Sequence, residues 1–140
     1  MVITLRAVQK KPLYQGRHTF PGEDLSSVAR ARSWAMETSR RWDIEPPEAL
    51  ALVVSELVTN AVMHTHSGLP GENVTLRLYA YEDRIRVAVK DAGPKPGRAP
   101  RLRSWNASST HGRGLLLVEA LCLDWGTLTV GTGVYAEVAR

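Results

Sequence analysis

The sequence predicts an α+β fold: a two-layer α/β sandwich with helices on one face of a mixed, mostly antiparallel sheet. Three observations lead there. Residues 25–64 carry two long stretches without an internal helix breaker, residues 74–90 alternate apolar and polar side chains, and a second alternating pair closes the chain. At 140 residues and 44% hydrophobic content, the chain has the size of a single domain. It can bury roughly 68–70% of its unfolded surface without a disulfide or structural metal.

The elements follow in order. An N-terminal strand segment, 1–22, has strand-like patches at Val2–Val8 and His18–Phe20 and stops at Pro21-Gly22. Asp24 suits the N-cap of a helix from Leu25 to about Trp42, with Leu25, Val28, Ala29, Ala35 and Trp42 as its apolar stripe. Pro46 and Pro47 suit the first turn of a second helix, which Ala49 through His64 continues until Ser67-Gly-Leu-Pro-Gly71 ends it. Val74, Leu76 and Leu78, then Ile85, Val87 and Val89, alternate with polar residues across a Glu82-Asp83 turn, which reads as a hairpin with one buried face. Gly93 to Gly114 holds three prolines and four glycines without apolar periodicity. A loop that long is uncommon in a compact domain unless it is a functional lid or disordered. Leu115–Leu123 reads as a short, largely buried helix, and Leu128–Val130 with Val134–Val138 as a hairpin across Gly131-Thr-Gly133.

Composition excludes several classes. The net charge is +4, yet the 14 arginines are scattered among 14 acids and the chain has one phenylalanine. A nucleic-acid footprint would gather the cations on one face with stacking aromatics between them, so none is expected. No apolar stretch reaches the ~18 residues of a membrane span. The lone Cys122 lies in an apolar run, which reads as a small core residue in a reducing, cytoplasmic setting.

Three constellations carry chemistry. On the second helix Glu56, Asn60 and His64 stand four residues apart, on one face of an otherwise apolar helix. A polar stripe usually faces solvent. Here a carboxylate and a carboxamide one turn apart also form a hard-oxygen pair suited to magnesium and a general base. The second is Asp91-Ala-Gly93 at the end of a buried strand. There a carboxylate can accept from an amino group, and the glycine lets a flat ligand approach; the same residues also describe an ordinary Asx turn. The third is His111-Gly-Arg-Gly-Leu115 opening a helix, where free N–H groups make an anion site or the glycines make a hinge. His64 and His66, two apart, point away from each other and cannot chelate one ion. Ser55 has no nucleophile elbow around it, and Trp105 in the lid is a candidate partner contact.

The order and spacing of these motifs resemble the signature boxes of the GHKL ATPase superfamily. More narrowly, Glu56-Leu-Val-Thr-Asn-Ala-Val62, Gly112-Arg-Gly-Leu115 and Gly131–Glu137 look like the bacterial anti-sigma-factor serine/threonine kinases and their small actinobacterial relatives. The resemblance covers roughly residues 20–139 and implies a histidine-kinase-like ATPase fold with a lid at about 93–113. It implies ATP and Mg²⁺ as cofactors, Asn60 holding the metal, and Glu56 as catalytic base. Asp91 and Gly93 would take the adenine, and His111, Gly112, Arg113, Gly114 and Leu115 the phosphates. The implied partners are ATP or ADP, a sigma factor and an anti-anti-sigma-type protein, with a possible homodimer. The same residues would serve a nucleotide-gated interaction module that binds ATP without phosphotransfer. Three features depart from the family pattern. Lys95 replaces a second glycine after Asp91-x-Gly93, and Thr132-Gly133 replace a Lys-Thr pair, so Thr132 is the remaining candidate for an adenine-side hydroxyl. The lid carries Lys95, Arg98, Arg101 and Arg103 without an acid, to screen triphosphate charge or meet an acidic partner, or simply as a solvated face.

Overall fold

The computed structural model describes residues 11–93 and 119–140. The patch Val2–Val8, most of the expected lid, and the Gly112–Gly114 motif lie outside the described residues. The chain runs β1 (Tyr14–Pro21), α1 (Ser26–Arg41), α2 (Glu48–His64), a 3₁₀ turn (His66–Gly68), β2 (Asn73–Ala80), β3 (Arg84–Lys90), β4 (Asp124–Thr127) and β5 (Gly133–Ala139). The sheet order is β1-β2-β3-β5-β4, and every pairing among the described residues is antiparallel. Both helices pack on one face, α1 over β1 and β2, α2 over β2, β3 and β5.

The core is the meeting of α2 with the inner sheet face. Leu50, Val53, Val54, Leu57 and Val58 of α2 are fully buried, as are Val74, Leu76, Leu78, Ile85, Val87, Val89, Ala136 and Val138 of the sheet. Register explains the alternation. Leu76 lies opposite Val89 and Leu78 opposite Val87, which in turn faces Ala136, so each apolar row runs unbroken across three strands. Burying one such side chain is worth about 1.5–3 kcal/mol, and α2 contributes five of them.

The cap of helix α1 is Leu25, one residue after the expected Asp24; Asp24 still serves the helix start, since the Ser26 amide donates to its Oδ1 at 2.9 Å, a bond that holds the carboxyl below its ordinary range. Its buried stripe differs from the expected one. Leu25 is 73% exposed and Ala29 is also outside, while Ser27, Ala31, Ala35, Thr38 and Ser39 face inward. Small residues let α1 approach closely, and the inward hydroxyls are satisfied on nearby backbone: Ser27 Oγ donates to Pro21 O and Ser39 Oγ to Ile44 O. Pro46 and Pro47 precede α2 rather than forming its first turn. Pro47 is extended (ψ 147°), and its carbonyl accepts the first helical bond from the Leu50 amide.

The last hairpin also differs. Its first strand is Asp124–Thr127, four residues before the expected start, and Leu128–Thr132 form the connection. Trp125, half-buried, lies opposite the buried Ala136, a pairing that outweighs the apolar look of Leu128–Val130; Thr127 is exposed, and Val130 is 84% exposed. The described end of the expected Leu115–Leu123 helix, Glu119–Leu121, is helical but exposed, and its earlier residues lie outside the described ones. Cys122 is half-buried against the core rather than inside it.

Gly133 opens β5 at φ +148°, and a Cβ there would collide with the Val89 carbonyl oxygen. Gly133→Ala is expected to cost more than about 2 kcal/mol, read as a lower urea midpoint; an unchanged midpoint would mean that β5 can shift away from β3. Burial, and then Asp124, push the Cys122 thiol up to about 11. Thiolate should therefore be scarce in the folded chain below that pH and form first in the unfolded chain. Iodoacetamide at pH 8 should modify the folded protein at least about tenfold more slowly than the urea-unfolded protein, with the gap closing near the raised value. Equal rates at pH 8 would contradict this.

Candidate functional site

Three segments meet at the carboxyl end of β3: the 3₁₀ turn that follows α2, the loop Asp91–Gly93, and the β4–β5 connection. Helix α2 is apolar around most of its circumference, so its polar positions are pressed inward with it. Asn60 is 5% exposed, and its Nδ2 finds no hydrogen-bond partner among the described residues. A buried amide in that state costs about 1–3 kcal/mol, so something outside the described fold must satisfy it. Glu56 stands one turn earlier on the same face and is half-buried. The helix spacing puts the two side chains about 6 Å apart. Ser55, beside them, is only partly buried; its hydroxyl donates to Ala51 O and accepts from Arg32 Nη1 at 3.0 Å, which ties α1 to α2.

The Asp91 loop is clamped from two sides. On one, the 3₁₀ turn after α2 reaches it: the His66 amide donates to Gly93 O at 2.8 Å, and the Ala92 amide donates to Ser67 Oγ at 2.9 Å. Ser67 is fully buried and is itself held, its amide donating to Thr65 Oγ1 while the Thr65 hydroxyl donates back to Ala61 O on α2. Gly22 packs so tightly on this turn that a Cβ there would collide with the Ser67 carbonyl oxygen. On the other side, Thr132 makes two bonds to the backbone of Asp91. The Asp91 amide donates to Thr132 O and the Thr132 hydroxyl donates to Asp91 O, both at 3.0 Å.

Asp91 is an Asx turn and more. Its Oδ1 accepts from the Gly93 amide at 2.8 Å, while no described residue donates to Oδ2. One oxygen therefore fixes the rotamer and the other is free to accept from a ligand. Gly93 has φ +97°, and no heavy atom lies within 4 Å of where its Cβ would be. The conformation needs glycine, and the space beside it is open.

The structure thus brings together Asp91, Gly93 and Thr132, and ties their loop to the turn that follows α2, the helix that carries Glu56 and Asn60 on one face. His111, Gly112, Arg113, Gly114 and Leu115, with Lys95, Arg98, Arg101, Arg103 and Trp105, lie outside the described residues. Ser67 and Thr65 were missed, because Ser67-Gly-Leu-Pro-Gly71 reads as a simple helix stop. The available signal was two hydroxyl residues spaced two apart directly after the helix, a spacing that favours local side-chain to backbone bonds. The departure at Thr132-Gly133 also gains a reason: residue 133 must lack a side chain to pass Val89, and the neighbouring threonine holds Asp91.

Among the described residues no group of three or more His, Cys, Asp or Glu side chains could hold a metal ion. A magnesium ion here would take one or two protein oxygens and complete its shell with phosphate and water, as magnesium commonly does. Asn60 Oδ1 and a Glu56 carboxylate oxygen one turn away fit that donor set, while the orphaned Nδ2, a hydrogen-bond donor, calls for an acceptor such as a phosphate oxygen.

The fold, helices on one face of a five-stranded antiparallel sheet, is that of a histidine kinase-like ATPase domain. Residues 22–133 match the family described as the histidine kinase-like ATPase domain, and the chain belongs to it. Among curated proteins it is similar to the serine-protein kinase RsbW of Bacillus pumilus, 45% identical over 51 residues, covering 35% of this chain and 32% of that one. The Listeria innocua RsbW is 39% identical over 67 residues, covering 48% and 43%. The Bacillus licheniformis RsbW is 29% identical over 102 residues, covering 66% and 63%. The matched segments thus span between about a third and somewhat under two thirds of these relatives' lengths. Among the described residues no helix is long and apolar enough to cross a membrane.

Replacing Asn60 by an apolar residue of similar size removes an unsatisfied buried amide. Asn60→Leu is expected to raise unfolding stability by about 1 kcal/mol in urea while abolishing magnesium-dependent nucleotide binding. A loss of stability would mean that the amide is already satisfied within the fold.

Proposed function

We propose that this chain is an ATP–Mg²⁺-binding regulatory protein with serine/threonine protein kinase activity of the anti-sigma-factor type. It would bind a sigma factor or similar target and phosphorylate a serine on an antagonist protein, in the cytoplasm. The observation that carries this reading is Asn60: buried on the face it shares with Glu56, with an Nδ2 that has no acceptor among the described residues and suits a phosphate oxygen. Its support comes also from the family to which the chain belongs and from its similarity to serine-protein kinases.

In this reading Asp91 Oδ2 accepts from the adenine amino group while Oδ1 stays on the Gly93 amide, and the open side of Gly93 admits the flat ring. Ser67 and Thr132 hold the loop so that the carboxylate need not be ordered on binding, which lowers the entropy cost of recognition. Asn60, with Glu56 nearby, would hold magnesium, and His111–Leu115 would wrap the phosphates through backbone N–H groups. Magnesium supplies charge neutralisation at the γ-phosphate. Glu56 orients the attacking serine hydroxyl and takes its proton as the new oxygen–phosphorus bond forms and the bond to the ADP oxygen breaks.

Calorimetric titration of ADP and ATP with magnesium tests the site. Wild type should bind saturably, and Asp91→Ala should weaken binding at least about tenfold, the loss of one charge-assisted hydrogen bond. Equal affinity would remove Asp91 from the adenine site. With labelled ATP and a cognate antagonist protein, Glu56→Ala should keep nucleotide binding and lose transfer. Nucleotide binding without transfer by the wild type would favour the interaction-module reading.

A further inference from the structure

The outer face of the sheet, away from the helices, is cationic across β1, β2 and β3. Register sets Arg17 of β1 directly opposite Arg77 of β2, and the outward positions of β3 are Arg84, Arg86, Ala88 and Lys90. None of the outward positions on these three strands is acidic. Glu137 on β5 neutralises part of the charge, reaching Arg84 and Arg86 at 3.3 Å each. Arg17, Arg77 and Lys90 form no salt bridge with any described residue. Like charges directly opposite each other weaken a strand pair, so this arrangement calls for an anion from elsewhere.

The same face is hollowed. Ala88, the one small outward residue of β3, lies opposite Arg77 and leaves a groove of about 310 Å³. Arg77, Arg86 and Lys90 give its charged side, and Leu128 and Val130 of the β4–β5 connection give an apolar wall. A second hollow of about 260 Å³ continues past Arg77 to Arg17. Val130 is 84% exposed, an apolar side chain left at the lip.

We propose that this groove docks an acidic, extended segment of a partner protein, a carboxylate lying between Arg17 and Arg77 and an apolar side chain covering Ala88, Leu128 and Val130. Charge complementarity and the apolar wall select that occupant. A single-stranded nucleic acid would need a run of open aromatic faces, yet Arg84 lies 4.1 Å over the Tyr81 ring and Arg86 4.0 Å over Tyr135, which leaves Tyr79 as a single uncovered ring among the described residues of the groove. A second copy of the chain would bring the same cations, and the acids of its own outer face are engaged: Glu137 with two arginines, Asp124 with the Tyr135 hydroxyl. The groove lies on the sheet face opposite α2 and shares only the β4–β5 connection with the candidate nucleotide site, so the proposal does not rest on the nucleotide reading.

The test uses the full chain and a fluorescein-labelled peptide of glutamates with spaced leucines, read by anisotropy. Beside it run the glutamine counterpart and oligo(dT) of similar length. The acidic peptide should bind saturably and weaken as salt rises, and the glutamine peptide should bind at least about tenfold more weakly. Arg17→Thr with Arg77→Thr should lower affinity about tenfold or more with an undiminished melting temperature, and Val130→Ser should lower it several-fold. No binding of the acidic peptide overturns the proposal. So does equal binding by the double variant or of the glutamine peptide. Preferential binding of oligo(dT), or self-association that the double variant abolishes, would assign the face to nucleic acid or to a second copy instead.

Discussion

The burial of α2 is the constraint on which the rest of the structure depends. Leu50, Val53, Val54, Leu57 and Val58 are withdrawn from water against the sheet, so the helix cannot roll without exposing several apolar side chains at once. Asn60 is carried into the interior by that packing, and its amide is left without a partner among the described residues. The hydrophobic gain of the helix thus offsets the cost of an unsatisfied polar group at one chosen place. Sites of this kind, stable in sum and strained in one residue, are where ligand binding is commonly found.

The second consequence lies at the end of the same helix. Because α2 is fixed, the Thr65–Ser67 turn is fixed, and through Ala92 and Gly93 it fixes the loop that carries Asp91. Thr132 closes the loop from the opposite side. The carboxylate is therefore held in place by groups from two elements far apart in sequence. Gly133, which clears the Val89 carbonyl, lets β5 come close enough for Thr132 to reach.

Much of this was legible in the sequence. The alternation of Val74–Leu78 and Ile85–Val89 gave both the hairpin and its buried face, since a half-buried strand must repeat every two residues. The unbroken run gave the end of α2 at His64, though Pro46 and Pro47 precede the helix rather than form its first turn, and Glu56 and Asn60 stood out as polar positions on an apolar helix. Other features had no local signature. The inner stripe of α1 is made of small and hydroxyl residues, which hydrophobic periodicity does not weigh, so Leu25 and Ala29 seemed the better candidates. The strand Asp124–Thr127 contains an acid, a glycine and a tryptophan, and only its pairing with β5 makes it a strand. The clamp by Ser67 and Thr132 joins residues 25 and 41 positions from their loop partners, a closeness that the topology creates. The cationic outer face is likewise a product of register, since Arg17 and Arg77 are sixty positions apart in a chain whose arginines otherwise look evenly spread.

The central claim is that the surroundings of Asn60 and the Asp91 loop form one preassembled nucleotide site. The most direct measurement is a two-dimensional ¹H–¹⁵N spectrum of the labelled chain with and without ADP and magnesium. The account predicts that the Asn60 side-chain amide and the backbone amides of Asp91, Ala92 and Gly93 shift together and saturate at one ligand concentration, while those of β1 stay in place. Saturable shifts confined to other parts of the chain, or no shifts with ADP and magnesium, would contradict it.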